Sequence, residues 1–182
     1  MRDKVKNRQL NNKGFSLIEL IVIMIIVVIL ATAVVVAFVN SEDQKTKSSA
    51  TLVSKYLDNV MNYSMTKGNA YLTLGYDSGR YYVKDSENHS ERLSPAIEVS
   101  YHIENSENVI VIDENNKLMI SFSRTNGSFT PIIKSVNADG TFVYETTGDS
   151  NTNVYADNIT IKCNDSTKVI HLYTKTGVYE IE

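Results

Sequence analysis

Between Phe15 and Val39 the chain is apolar at every position except Ser16, Glu19 and Thr32. As a helix this run would measure about 38 Å at 1.5 Å per residue. That spans a hydrocarbon core of roughly 30 Å with some tilt. Gly and Pro are absent from it, and in lipid the backbone must pair within its own helix. A plain cytosolic globule is therefore excluded. From Asn40 to Glu182 the composition is ordinary, with a little over a third of positions apolar, which suffices for one modest core.

The charge is as unevenly divided as the hydropathy. Residues 1–14 carry Arg2, Lys4, Lys6, Arg8 and Lys13 against Asp3, or 5 − 1 = +4. The whole chain is −3, so the remainder is −3 − 4 = −7. The positive-inside rule keeps the basic end in the cytoplasm and sends everything after Val39 across the membrane. This makes the expected location a single-pass cell membrane protein with an extracytoplasmic head.

Three readings fit the run. A secretory signal peptide needs a basic region, an apolar stretch and a small-residue cleavage site, and Ala31-Thr32-Ala33 supplies the last. A plain signal anchor needs only length and flanking charge. Neither accounts for Glu19, since a carboxylate near a helix centre in lipid costs about 2.5–3.5 kcal/mol on insertion scales. Nearer the end the cost falls, yet an anchor of arbitrary sequence would still avoid it.

The third reading rests on Lys13-Gly14-Phe15-Ser16-Leu17-Ile18-Glu19-Leu20. This run resembles the type IV prepilin signature, in which a basic residue and Gly precede a cut. The resemblance implies that prepilin peptidase cleaves between Gly14 and Phe15 and that the new amine of Phe15 is methylated. It also implies an assembly role for Glu19, the fifth residue of the mature chain, facing the N-terminal amine of a neighbouring subunit. The physics agrees. Gly offers no side chain to obstruct an extended approach to a protease. A mispaired register would leave a carboxylate unpaired in lipid. Major pilins often carry a helix-bending Pro in mid-anchor and a C-terminal disulfide. Here the corresponding stretch is Ala33-Val34-Val35-Val36-Ala37, and Cys163 is the single Cys. Both departures point to a minor pilin or pseudopilin.

Helix signals continue beyond the apolar run. Leu52, Val53, Tyr56, Leu57, Val60, Met61 and Ser64 form a stripe with 3/4 spacing. Gly68 is placed to stop the helix, and Ser41-x-x-Gln44 offers an alternative restart after a bend. From Asn69 onward the period changes to two. Strands are expected at Tyr71–Tyr76 and Arg80–Val83 around the turn Asp77-Ser78-Gly79. A loop is expected at Asp85–Pro95. Further strands are expected at Ile97–Ile103, Val109–Ile112, Lys117–Ser123, Pro131–Val136 and Thr141–Glu145. A polar tip follows at Thr147–Asn153, then strands at Asn158–Cys163, Lys168–Thr174 and Gly177–Ile181. The expected fold is α+β: a long N-terminal helix packed on a mostly antiparallel β-sheet head, pilin-like. The expected division is a leader at 1–14, a membrane or filament-core half at 15–39, an amphipathic half at 40–67 and a β-rich head at 69–182. Phe122-x-x-x-x-Gly127 and Ile170–Tyr179 resemble the H-type minor pseudopilins of type II secretion, as does the passage from Tyr63-Ser64-Met65 through Gly68.

No P-loop, dinucleotide glycine motif, H-E-x-x-H, C-x-x-C or G-x-S-x-G occurs. An enzyme, a cofactor and a metal site are therefore not expected. His102 and His171 sit in strand patterns, His89 sits in a charged loop, and Cys163 reads as a small buried hydrophobe. Asp113–Asn116 and Gly148–Asn151 read as turns. After residue 14 the chain has 13 basic residues against 20 acidic ones, so direct nucleic-acid binding is not expected. The partners implied are other pilin or pseudopilin subunits, prepilin peptidase and the cytoplasmic membrane. The alternatives are an anchored or secreted binding module and a competence pseudopilus subunit.

Overall fold

The computed structural model describes residues 16–147 and 152–182, with the side chains of 33–40 outside the description. Two compact units separate, Met1–Phe38 and Val39–Glu182. The helix α1 runs Leu17–Thr66. Helical backbone continues through 41–44, so Ser41-x-x-Gln44 does not restart the helix. Neither Gly nor Pro occurs between Phe15 and Lys67 to break it.

Within the second unit, α1 buries Thr46, Ser49, Ala50, Val53, Ser54, Tyr56, Leu57, Val60 and Ser64. This is a 3/4-spaced face, as expected, but it starts earlier along the helix, with small residues. Their hydroxyls are satisfied locally: Ser54 Oγ donates to the Ala50 carbonyl at 3.0 Å, and Thr46 Oγ1 to that of Asp43 at 3.0 Å. The helix stops where Lys67 N–H and Gly68 N–H both donate to the Tyr63 carbonyl. Gly68 and Asn69 then take φ of 75° and 57°, a left-handed pair that cannot continue a right-handed helix.

The first four strands are β1 Tyr71–Asp77, β2 Arg80–Asp85, β3 Ser90–Arg92 and β4 Glu98–Ile103. β5 Val109–Val111, β6 Leu118–Ser121, β7 Ile133–Val136 and β8 Phe142–Tyr144 follow. The last are β9 Thr146–Thr147, β10 Thr152–Asn153, β11 Ala156–Cys163, β12 Ser166–Tyr173 and β13 Val178–Ile181. They form a four-stranded sheet β3-β2-β1-β6, a five-stranded sheet β13-β12-β11-β4-β5, and the pairs β7-β8 and β9-β10. All ladders are antiparallel. The architecture is the expected α+β one, a helix packed on antiparallel sheets and compatible with a pilin-like fold.

Local turns follow their residues. Asp77 pairs with Arg80, leaving Ser78 and Gly79 as a two-residue turn with φ of 51° and 78°. That is the type I′ geometry whose twist matches a hairpin. One expectation fails. The loop 85–95 contains β3, an edge strand whose residues Ser90, Glu91 and Arg92 are all exposed. The segment 113–116 is a turn, as expected, and the strands it joins do not pair with each other: β5 pairs with β4 and β6 with β1. It is a crossing between the sheets. The tip 148–151 lies outside the described residues.

One apolar core joins these elements. It contains Val53, Leu57 and Val60 from α1, Leu72, Leu74, Leu118 and Ile120 from one sheet, and Val99, Ile159, Ile161 and Ile170 from the other. The far end of the chain is tied to the helix as well. Tyr179 Oη donates to Asp58 Oδ1 at 2.6 Å, close to the Ser54 carbonyl at 3.2 Å. At the start of the buried face, Asn164 Nδ2 donates to Glu42 Oε1 at 2.6 Å.

Candidate functional site

The site begins with the first turn of α1. Ser16 Oγ accepts from Glu19 N–H at 3.2 Å. The Ser16 carbonyl accepts from Glu19 and Leu20 N–H at 3.0 and 3.2 Å. Ser16 is therefore the N-cap, and Glu19 stands three positions on. Ser16-x-x-Glu19 is the capping-box pattern, and the helix dipole favours a carboxylate in that turn. Glu19 thus has a local reason to be there in addition to the assembly role implied by resemblance. The signal for this lies in Ser16 and Glu19 ahead of an apolar run, where the charge of Glu19 overshadows the cap.

Every described side chain from 16 to 32 is exposed. Thirteen of them are large and apolar, from Leu17 at 79% to Ile21 at 46%. Positions 20–30 are consecutively apolar, so at about 100° per residue they cover every side of the helix. Burying a side chain of this kind stabilises by about 1.5–3 kcal/mol. Thirteen half-exposed ones in water forgo roughly 10–20 kcal/mol by the same scale. Such a surface requires lipid or other apolar helices around it. Thr32 avoids adding an unpaired polar group, since its Oγ1 donates to the Ile29 carbonyl at 2.8 Å.

Among the described residues no helix is long and apolar enough to cross a membrane. The apolar stretch whose side chains are described ends at position 32. From 17 to 32 it would measure about 24 Å, short of a hydrocarbon core of roughly 30 Å. Gly14 and Phe15, the expected cleavage and methylation positions, lie outside the described residues.

The other sequence-level candidates resolve into structural roles. Each His faces a carboxylate: His89 Nδ1 is 3.0 Å from Asp85 Oδ2, His102 Nδ1 2.7 Å from Asp157 Oδ1, and His171 Nε2 3.1 Å from Glu182 Oε2. Asp157 reaches His102 because the β11–β4 register shifts between Ala156 and Asn158, a bulge that turns the extra residue outward. Sequence alternation gives no sign of it. Cys163 is buried, as expected. Asp113 Oδ1 accepts from the N–H groups of Asn115 and Asn116, both at 2.7 Å. These backbone donors hold its carboxyl below the usual carboxylate range. That is turn chemistry. Among the described residues no group of three or more His, Cys, Asp and Glu could hold a metal ion.

Residues 9–35 match the family described as the prokaryotic N-terminal methylation motif, a type IV pilin-like signal. The match includes the cap, Glu19 and the whole exposed apolar stretch. No curated protein and no solved structure matches the chain. The motif supports a pilin- or pseudopilin-like role in general: a membrane-anchored structural subunit rather than an enzyme, processed by prepilin peptidase and assembled with other pilin subunits.

Proposed function

We propose that the chain is a minor pilin or pseudopilin, of the H type of type II secretion, built into a short filament through its N-terminal helix. Prepilin peptidase cuts between Gly14 and Phe15 and methylates the Phe15 amine. The segment 15–39 crosses the membrane once before extraction, and everything after Val39 is extracytoplasmic, the amphipathic half of the helix at 40–67 and the β-rich head at 69–182. The observation that carries the reading is the methylation motif lying on a helix start that exposes apolar side chains on all sides. The same surface serves in lipid before assembly and against neighbouring helices after it. Cleavage removes the +4 segment that fixes topology and creates an amine four positions before Glu19. In a helical bundle that amine and the Glu19 of a neighbour neutralise each other, and a wrong register leaves both charges in an apolar medium.

Mass spectrometry of the membrane fraction tests the processing. A chain starting at Phe15 with one added methyl group is expected. A start at Met1, or after Ala33, overturns the reading. Glu19→Gln tests the assembly role, because Gln still suits a capping box but carries no charge. Loss of filament incorporation with normal processing is expected. Unchanged incorporation would show that Glu19 is only a helix-start residue.

A further inference from the structure

The outer face of the four-stranded sheet holds a groove of about 580 Å³. Its walls include Tyr82, Lys84, Arg92, Lys117, Asp77 and Glu114. The pairing places these residues together. Tyr82 lies opposite Gly75 on β1 and opposite Arg92 on β3. Lys84 is two positions further along β2 and so on the same face. Lys117 directly precedes Leu118, which faces inward opposite Leu74, so alternation turns Lys117 outward.

Tyr82 does not stand away from the sheet. A Cβ built at Gly75 would lie 2.5 Å from both Cζ and Oη of Tyr82. The Gly75 backbone has no positive φ, so its conformation does not require glycine. What uses the missing side chain is the tyrosine ring, which lies over the strand and turns its other side to the groove. A ring laid on a sheet face, with cations beside it, is a preformed platform. The ring has lost its freedom before any ligand arrives.

The charge of the groove is opposite to that of the molecule. After residue 14 the chain has 13 basic against 20 acidic residues, yet these walls hold three cations and two acids. Arg92 is engaged, with Nη1 donating to the Asp77 carbonyl at 3.2 Å and Nη2 3.9 Å from Asp77 Oδ2. Lys84 and Lys117 make no ion pair among the described residues. Two cations are thus available to an incoming anion; Glu114 is an acceptor for hydroxyl groups, as are the lone pairs of Asp77 beyond the one that accepts from Ser78 Oγ at 3.0 Å.

We propose that this groove binds an acidic polysaccharide, a sugar chain carrying carboxylate or phosphate groups. One sugar ring packs its C–H face on Tyr82, its anionic group meets Lys84 and Lys117, and its hydroxyls donate to Asp77 and Glu114. A nucleic acid fits less well, because its closely spaced phosphates need a continuous track of cations and would meet both carboxylates. An acidic peptide offers the same charge with fewer hydroxyl donors for the two carboxylates, and polyglutamate stands for it in the test.

The test uses the full chain in an amine-oxide detergent, which contains no sugar. Fluorescence anisotropy is measured with labelled oligogalacturonate, a hyaluronan oligosaccharide and a phosphomannan fragment. Neutral dextran, polyglutamate and an oligothymidylate serve as comparisons. At least one acidic glycan is expected to bind at least tenfold more tightly than all three comparison probes. The double variant Lys84→Gln/Lys117→Gln, at exposed or half-buried positions, is expected to weaken that binding at least tenfold with unchanged circular dichroism. Tyr82→Leu is expected to abolish it. Should Tyr82→Leu not fold, the lysine variant decides. Binding by none of the glycans, polyglutamate or oligothymidylate binding within threefold of the best glycan, or a lysine variant equal to the parent overturns the proposal.

Discussion

Gly177→Ala is expected to be among the most damaging single-methyl insertions in this head. Gly177 has φ 72°, a conformation that costs an L side chain about 1–2 kcal/mol. The added Cβ would also lie 1.8 Å from the Gly127 carbonyl oxygen, where contacts under 3.0 Å essentially never occur. Relief of that clash demands a shift of more than an ångström. Neither turn can yield easily. Gly127 N–H donates to the Ser123 carbonyl at 2.8 Å, Ser123 N–H to that of Ser128 at 2.7 Å, and Gly177 N–H to that of Tyr173 at 2.9 Å. Overpacking of this kind adds about 1–3 kcal/mol, for a total of roughly 2–5 kcal/mol. Gly79→Ala is the internal control, because Gly79 has φ 78° but nothing within 4 Å of its missing Cβ. It should lose only the conformational part. At about 2–4 °C per kcal/mol for a chain of this size, the control should lower Tm by about 2–8 °C and Gly177→Ala by about 4–20 °C. Thermal melts of the full chain in micelles, followed by near-ultraviolet circular dichroism of the tyrosines, measure both. Equal losses in the two variants would refute the claim that the turns at 127 and 177 are locked against each other.

Leu57→Ala should cost about 2–5 kcal/mol, since Leu57 is fully buried where α1 meets the core; urea titration in micelles reads it. Asp85→Ala should cost about 2–3 kcal/mol. The buried carboxylate accepts from Glu87 N–H at 3.0 Å and His89 N–H at 2.9 Å, and hydrogen exchange at those two amides should rise with the substitution. The contribution of Tyr101 to stability should be level from neutral pH to about 9 and fall between about 10 and 12. Burial, then the charge of Glu145, pushes the Tyr101 phenol up to about 12. The folded state therefore holds that proton more tightly than the unfolded one. Its contribution is complete below the ordinary tyrosine pKa of about 10 and is lost as pH rises toward the folded value. Tyr101→Phe should make that alkaline fall shallower in pH-dependent melts.

The parts of this fold legible in the sequence are those whose signal is local. The alternation in Asn158–Cys163 and Lys168–Thr174, the Ser78-Gly79 turn and the Gly68 stop each depend on a few adjacent residues. β3 is hidden because an edge strand with both faces exposed has no apolar alternation to read. The assignment of β5 and β6 to different sheets is hidden because pairing partners are set by long-range closure. The helix face at Thr46, Ser49 and Ala50 is hidden because small polar residues can be buried when their hydroxyls are satisfied nearby. At the N-terminal site, Glu19 stands out as a charge in an apolar run, whereas its place beside the Ser16 cap needs the backbone geometry. The groove at Tyr82 is not legible at all, since Gly75, Tyr82, Arg92 and Lys117 come together only through the sheet.

The hydrogen bond from Tyr179 to Asp58 has a consequence in time. The two residues are 121 positions apart. At about 5–20 residues per second of synthesis, that separation corresponds to roughly 6–25 s. Throughout this interval the N-terminal segment is already made, while the strand that pins the helix is not. A membrane or enzyme acting on the first residues during this interval meets them attached to a passenger whose helix is not yet clamped. The order of translation alone makes the N-terminal segment available before the tertiary structure that clamps its helix.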